Sequence, residues 1–208
     1  MTDFAPALRH LMASDKGLAR VIKAVGNCEL ESRHRGSVFQ YLARSIVYQQ
    51  LSGKAAATIH GRLADLFPRR RIEADKLLDL PSSSLRAAGL SRSKSLALED
   101  LAKRDVAGML PGRIQLKSMT DEEIIARLTE VRGVGEWTVQ MLLIFYLGRP
   151  DVLPIRDLGV LKGYQKMRRL RDLPSSVRLE RAGARWRPFR SVATWYLWRC
   201  LEVDLPRR

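Results

Sequence analysis

Two glycines set close together between helical segments could form a contact for an anion. Gly133 and Gly135 stand in LTEVRGVGEWTVQMLLI, which runs from Leu128 to Ile144. Glycine allows a positive φ in a tight turn, and because it lacks a Cβ it lets backbone N–H groups approach a phosphate at a helix N-terminus. We therefore predict a hairpin whose residues Gly133, Val134 and Gly135 contact phosphate through the backbone. The alternative is an ordinary turn between two helices.

The overall charge fits a polyanionic partner. The chain of 208 residues has 37 Lys plus Arg against 22 Asp plus Glu, which gives a net charge of +15. Phosphate contacts made by such a surface are salt-sensitive and position a protein along a nucleic-acid duplex. Hydrophobic residues make up 46% of the chain. This share is enough for a buried core in one or two domains and excludes disorder by composition.

The segments around the hairpin predict an all-α fold. Ser37 with Gln40 and Thr120 with Glu123 have the spacing of capping boxes, and each box precedes an apolar stripe at helical spacing. Residues 137–147 are apolar on nearly every face, which predicts a central buried helix. Other helices are expected over residues 54–66, 82–88, 95–106, 176–184 and 189–201 and from Asp157, with a solvated basic loop at residues 69–71. Alternating strand patterns are missing.

Composition also bounds the compartment and the cofactors. No apolar run approaches the ~20 residues that span a bilayer, and the first 30 residues lack a secretion signal. We expect no membrane partner and a cytoplasmic location, associated with the nucleoid in a bacterium. Cys28 and Cys200 are too few for an iron–sulfur cluster. The three histidines, His10, His34 and His60, lack metal-ligand spacing.

Several motifs together resemble one family. They are V-R-G-V-G-E-W-T, D-V-L-P-I-R-D-L-G-V and W-R-P-F-R-S-V-A-T-W-Y-L-W, with IVYQQLSGKAA at residues 46–56 and LRAAGLSRSK at residues 85–94. This combination is similar to the helix–hairpin–helix (HhH-GPD) DNA glycosylases, and within them to the 3-methyladenine DNA glycosylase II family, over roughly residues 37–198. The resemblance implies two helical lobes with an active-site cleft between them. We expect one lobe at residues 35–149, carrying the hairpin, and a second from residues 1–34 plus 150–208, without the additional N-terminal β-rich domain of the bacterial type protein.

The resemblance implies an enzyme that flips a damaged base out of DNA and hydrolyses its N-glycosidic bond, with Asp157 as the catalytic carboxylate. Such a carboxylate can stabilise the positive charge that develops on the sugar and can orient or deprotonate the attacking water. The alternative is that Asp157 only caps its helix. Asp151 is the rival carboxylate, which we expect to be structural.

The same resemblance implies a base pocket and a reaction type. Related bifunctional glycosylases carry a lysine at the position of Trp137, whose amine permits strand cleavage, and an indole cannot form a Schiff base. We therefore expect a monofunctional enzyme with Trp137 in the base pocket, the alternative being a tryptophan buried against the next helix. Phe189, Met141 and Tyr48 are the further pocket candidates. Aromatic rings could favour cationic N-alkylated purines by ~0.5–2 kcal/mol of cation–π energy.

A flipped base leaves a gap in the duplex, and the family fills it from the loop that here reads Tyr48-Gln49-Gln50-Leu51. Gln50 is the first candidate for this DNA wedge and Leu51 the second. The alternative is that Leu51 belongs to the core and the glutamines end a helix. Related hairpins also hold a monovalent cation, so the backbone carbonyls of Thr129, Arg132 and Val134 could bind structural Na⁺ or K⁺.

The sequence thus favours a monomeric, monofunctional glycosylase that excises alkylated purines of the 3-methyladenine type from double-stranded DNA and requires no cofactor. The lesion's weakened pairing lowers the cost of extrusion, and its cationic base is a good leaving group, so a general acid is not needed. Two alternatives stay open. One is a DNA-damage-binding scaffold that uses the hairpin without chemistry, and the other is a glycosylase for oxidised or mismatched bases.

Overall fold

The computed structural model describes residues 3–31 and 36–205, and every regular element in these ranges is helical. The α-helices are α1 (Ala5–Ser14), α2 (Lys16–Val25), α3 (Val38–Tyr48), α4 (Gly53–Asp65), α5 (Ala74–Asp79), α6 (Ser82–Ala87), α7 (Arg92–Val106), α8 (Arg113–Ser118), α9 (Asp121–Leu128), α10 (Glu136–Leu142), α11 (Leu158–Arg168), α12 (Ser176–Gly183) and α13 (Arg190–Cys200). Short 3₁₀ turns cover Pro68–Arg70 and Ala184–Trp186, and Leu143–Leu147 is a π-helical turn. The all-α prediction is confirmed.

The chain divides into two compact units. The terminal unit comprises Met1–Arg33 and Leu143–Arg208, and the hairpin unit comprises His34–Leu142. The sequence-based boundary between residues 149 and 150 falls within the terminal unit, seven residues after the observed division. The other predicted boundary, between residues 34 and 35, lies outside the described residues.

In the hairpin unit, local capping begins the helices that carry the core. Ser37 and Gln40 form a complete capping box at α3, and Thr120 and Glu123 form another at α9, so both predicted boxes are confirmed. A capping box satisfies two of the N–H groups that a helix N-terminus leaves without partners. The stripe behind the first box is fully buried and comprises Val38, Leu42, Ile46 and Val47. It holds α3 in place, and α3 packs on α7.

In the terminal unit, one glycine permits a close helix packing. A Cβ on Gly163 of α11 would lie 2.0 Å from the carbonyl oxygen of Leu197 in α13, so only glycine fits there. The two helices also pack on α2, around the buried side chains of Leu18 and Tyr164. This packing fixes the start of α11 relative to the side chains of α13.

Two expectations differ from the structure. Residues 137–147 do not form one α-helix that is buried on every face, because α10 gives way to a π-helical turn after Leu142 and Trp137 is 49% exposed. Apolar periodicity reports which side chains prefer burial, and it cannot show that a neighbour covers the first turn. The basic run is exposed as predicted, but its first part belongs to a 3₁₀ turn in which Arg69 and Arg70 adopt positive φ.

Two short helices, α5 and α8, were not predicted from the sequence. α5 and α8 each have 6 residues, fewer than two turns, which leaves little pattern to read. α7 begins at Arg92 rather than residue 95, with Ser91 as its cap. In the ranges that the structure describes, no helix is long and apolar enough to cross a membrane.

Candidate functional site

The predicted hairpin forms between α9 and α10. Gly133 has φ +76°, which is the left-handed region that favours glycine, and a Cβ there would lie 3.1 Å from that of Ala97. The N–H of Val134 donates to the carbonyl of Val131 at 3.0 Å and closes the turn. The Val134 side chain is buried, whereas Gly133 and Gly135 are exposed. Backbone at this exposed turn, directly before a helix N-terminus, is accessible to a phosphate.

The segment predicted to fill the duplex gap is a turn between α3 and α4, here called the wedge turn (residues 48–51). Gln50 is exposed and has φ +57°. Leu51 is 38% exposed, so the alternative is wrong in assigning Leu51 to the core, whereas Gln49 does end α3 as its C-cap. Ser52 then caps α4 by accepting a hydrogen bond from the N–H of Ala55. The turn therefore presents both wedge candidates to solvent.

The base-pocket candidates of the hairpin unit differ in their surroundings. Trp137 is in the first turn of α10, and Met141, four positions later on the same face, is half-buried. The alternative of a tryptophan buried against its neighbour helix is wrong, because half of Trp137 is exposed. Tyr48 is half-buried at the end of α3, and the guanidinium of Arg44 lies 3.9 Å from its ring centroid. One face of that ring is already occupied.

Phe189, the remaining pocket candidate, lies in the terminal unit directly before α13. Its ring meets that of His10 edge-on, with centroids 5.6 Å apart. It lines a cavity of about 170 Å³ together with Phe4, Leu30 and Val192. The structure therefore places Phe189 against α1, which the sequence pattern did not predict.

Asp157 lies at the start of α11, where its carboxylate accepts hydrogen bonds from a backbone amide and an indole. Its Oδ1 accepts from the N–H of Val160 at 2.7 Å and from the indole Nε1–H of Trp198 at 3.0 Å. The residue retains 9% of its surface. The predicted capping role is thus present, and it is compatible with catalysis because a fixed carboxylate is preorganised.

Trp198 is a contact of the candidate carboxylate that sequence reasoning missed. Its indole stacks on Phe145, with ring centroids 5.8 Å apart and planes 19° from parallel. A Cβ on Gly159 would lie 3.0 Å from Cδ1 of Trp198, so glycine allows the indole to reach Asp157. The available signal was that a tryptophan N–H usually needs an acceptor. Spacing could not identify an acceptor 41 positions away.

Asp151, the rival carboxylate, has its charge matched by arginines. Arg190 donates through Nε at 2.7 Å and through Nη2 at 3.0 Å, and Arg187 donates through Nη1 at 3.0 Å. The bidentate arrangement is the stronger form of such pairs. Asp151 therefore joins the loop before α11 to the start of α13, as its predicted structural role requires.

Comparison with known proteins identifies the family. The model of the HhH-GPD superfamily of base excision DNA repair proteins matches residues 43–188. The chain belongs to this superfamily. It is 33% identical over 205 residues to DNA-3-methyladenine glycosylase 1 of Schizosaccharomyces pombe, covering 98% of this chain and 90% of that protein. The predicted family is confirmed.

Solved structures confirm the fold of this HhH-GPD protein. The 3-methyladenine DNA glycosylase of Schizosaccharomyces pombe in complex with abasic DNA superposes with a TM-score of 0.88 at 32% identity, over 98% of this chain and 100% of that one. The DNA-3-methyladenine glycosidase of Bacillus halodurans gives a TM-score of 0.85 at 31% identity, over 94% and 88% of the two chains.

The predicted cation ligands of this HhH-GPD chain are at the hairpin. The Val131 carbonyl already accepts a hydrogen bond from Val134, and the N–H of Arg132 donates to Asp100 Oδ2 at 2.9 Å. The same oxygen of Asp100 also accepts from Nε of Arg104 at 3.2 Å, so the negative charge beside the turn is already paired with an arginine. Among residues 3–31 and 36–205, no group of three or more His, Cys, Asp and Glu side chains is placed to hold a metal ion.

Proposed function

We propose that this chain is a monofunctional DNA glycosylase that excises alkylated purines of the 3-methyladenine type from double-stranded DNA. The observation that carries the proposal is the oriented carboxylate of Asp157, at the start of α11 and bound by Trp198. Two relatives named for 3-methyladenine, one from Schizosaccharomyces pombe and one from Bacillus halodurans, support the substrate class. Base excision repair follows from the superfamily.

The chemistry is hydrolysis assisted by charge. As the N-glycosidic bond breaks, its electron pair moves to the base, and a cationic methylated purine leaves as a neutral molecule. The sugar gains oxocarbenium character, which the Asp157 carboxylate stabilises. Water then adds to the anomeric carbon and gives a proton to this carboxylate, which returns it to solvent. The backbone N–H of Val160 and the indole N–H of Trp198 are uncharged donors, so these contacts orient Oδ1 without adding a positive charge of their own.

The reaction ends at the abasic site. Strand cleavage by a glycosylase needs an amine that forms a Schiff base with the sugar, and the residue two after Gly135 is Trp137, which has no amine. The half-exposed indole instead offers a ring face to the extruded base, with Met141 beside it. Phe189 and Tyr48 are further candidates for stacking on the base. The guanidinium of Arg44 covers one face of the Tyr48 ring and leaves the other face for stacking.

DNA binding uses the exposed backbone of the hairpin and the net charge of +15. Gly133, Val134 and Gly135 contact a phosphate, and Gln50 or Leu51 fills the gap left by the base. A Na⁺ or K⁺ ion on the carbonyls of Thr129, Arg132 and Val134 would add positive charge at the hairpin. The protein acts as a monomer and has no other cofactor.

The test uses duplexes that each carry one lesion: 3-methyladenine, 7-methylguanine, 8-oxoguanine or a mismatch. We expect release of the methylated bases, heat-labile abasic sites and no covalent adduct after borohydride treatment. A trapped adduct would contradict the monofunctional mechanism, and preferred release of 8-oxoguanine or a mismatched base would assign another substrate class. Binding without release of any base would support the scaffold alternative.

A further inference from the structure

A lysine distant in sequence holds the end of the helix that precedes the wedge turn. Lys94, in the first turn of α7, donates through Nζ to the carbonyl of Val47 at 2.7 Å and to that of Gln49 at 2.8 Å. The last carbonyls of a helix lack intrahelical donors and carry the negative end of its dipole. One ammonium group therefore satisfies two such oxygens at the end of α3.

Gln49, within the wedge turn, contacts the hairpin through its side chain. Gln49 Nε2 donates to the carbonyl of Gly133 at 2.9 Å and lies 3.5 Å from Oγ1 of Thr138. The hairpin contacts therefore come from the side chain of Gln49, while Lys94 binds its main chain. These contacts link α7, the wedge turn and the hairpin.

The conformation of Gln50 needs such a support. Its φ of +57° is unfavourable for a residue with a Cβ, and residues held this way persist where the surrounding structure determines the backbone. Lys94 fixes the peptide directly before it. Without this contact the turn could relax, and the side chains of Gln50 and Leu51 would point elsewhere.

We infer that Lys94 and Gln49 are positioning residues for base extrusion, which hold the wedge turn in a fixed register with the hairpin. The inference rests on the proposed function, because it needs a duplex from which a base is flipped. A register error of about 1 Å in a positioned group can cost on the order of a hundredfold in rate. Neither side chain touches the reacting atoms in this mechanism.

A direct phosphate contact by Lys94 is the competing role. Its ammonium is engaged by two backbone carbonyls, and burial lowers its pKa. A lysine that binds phosphate from the surface is exposed, as Lys103 is on the same helix. Lys103→Met removes the same charge without touching the wedge turn, and it is the matched control.

The test compares Lys94→Met and Gln49→Glu, which remove the donors, with Lys94→Arg and Lys103→Met. The rate of base extrusion is measured by the fluorescence of 2-aminopurine placed beside a 3-methyladenine lesion. The rate of excision is measured under single-turnover conditions. We expect the first two variants to lower both rates by about tenfold or more. Lys94→Arg should recover most of the loss, and Lys103→Met should show none. Affinity for undamaged duplex and its salt dependence should match between Lys94→Met and Lys103→Met.

Two further measurements separate positioning from damage to the fold. On a lesion in single-stranded DNA, where no stacked base must be extruded, Lys94→Met should act at the wild-type rate. In a chain that already carries Gln50→Ala and Leu51→Ala, adding Lys94→Met should change little, because it acts through the turn. An equal loss on single-stranded DNA, or a steeper loss of affinity than in Lys103→Met, would overturn the inference. Absence of base release by the wild-type chain would instead overturn the proposed function.

Discussion

Two aspartates in the terminal unit have the same local structure and different partners. Asp15 caps α2, and its Oδ2 accepts from the indole N–H of Trp186 at 2.9 Å. Asp157 caps α11 and accepts from the indole N–H of Trp198 at 3.0 Å. Asp15 is 2% exposed and also forms an ion pair with Arg168, whereas Asp157 is 9% exposed.

The difference between Asp15 and Asp157 separates contacts that orient a carboxylate from contacts that neutralise its charge. A cap and an indole donor fix a carboxylate in both places. At Asp15, Arg168 also pairs with the negative charge. This ion pair joins the start of α2 to the end of α11. At Asp157 the cap and the indole are uncharged N–H donors, so these two contacts orient the carboxylate without adding a positive charge of their own. In the proposed mechanism the carboxylate of Asp157 acts on the sugar, whereas the carboxylate of Asp15, paired with Arg168, stabilises the fold.

The largest expected effect is the loss of catalysis in Asp157→Asn. Asparagine also caps helices and can accept from Trp198 through its amide oxygen, so the fold should persist. The charge is lost, and the rate of base release should fall on the order of a thousandfold, as for other groups that stabilise charge in a transition state. Single-turnover excision of 3-methyladenine measures it. Wild-type excision by a folded Asp157→Asn variant would remove this carboxylate from the mechanism.

The complementary change, Asp15→Asn, should affect stability instead. Asparagine has one acceptor oxygen, which can keep the cap on α2, but its NH₂ group then faces the donors of Trp186 and Arg168 that bind Oδ2 in the wild type. Removing one partner of a buried pair costs about 3 kcal/mol. Urea unfolding measures the change in the free energy of unfolding, and excision per folded molecule should stay at the wild-type level. A variant that is fully stable but inactive would reverse the comparison.

Removal of one neutral donor tests orientation alone. Trp198→Phe keeps an aromatic ring for Phe145 to stack on and loses the N–H that binds Asp157. We expect kcat to fall about tenfold, since a hydrogen bond to a charged group contributes about 1.5–3 kcal/mol, while KM changes little. Trp186→Phe, which removes the matching donor at Asp15, is the control and should lower stability with little effect on kcat. Equal kcat in the two variants would show that the Trp198 donor does not position Asp157.

These contacts also show what sequence can and cannot predict. The caps at Ser37, Thr120 and Asp157 follow from neighbours within four residues, so local pattern was enough to predict them. The indole on Asp157 and the ammonium on Val47 come from 41 and 47 positions away. Spacing along the chain carries no signal for such pairs, because helix packing brings them together.

The family and the hairpin were predictable for a different reason. Gly133 needs a positive φ, and the glycine records that requirement directly in the sequence. The exposure of Trp137 was not predictable. The sequence shows that the side chain is apolar, and it does not show whether a neighbouring helix or a ligand covers that side chain. The motif around it therefore predicted a fold, and the structure was needed to find which apolar residues face solvent.

The smallest expected effect concerns the thiol of Cys28 in the terminal unit, whose pKa is determined mainly by burial. Burial raises the pKa of the Cys28 thiol from 9.0 to about 11, against the hydrogen bond from the Leu30 backbone, and the charge of Glu29 adds to the rise. Because the folded state holds this proton more tightly, the stabilisation is complete below pH 9 and is lost as the pH rises through about 11. Urea unfolding between pH 8 and pH 11 should show a modest decline in the free energy of unfolding, and Cys28→Ala should reduce the slope of this decline in part.

Burial also raises the pKa of Tyr196, whose hydroxyl donates to the Gly26 carbonyl, so some decline should remain in the Cys28→Ala variant. A slope unchanged by Cys28→Ala would show that the buried thiol contributes little to the pH dependence of the free energy of unfolding.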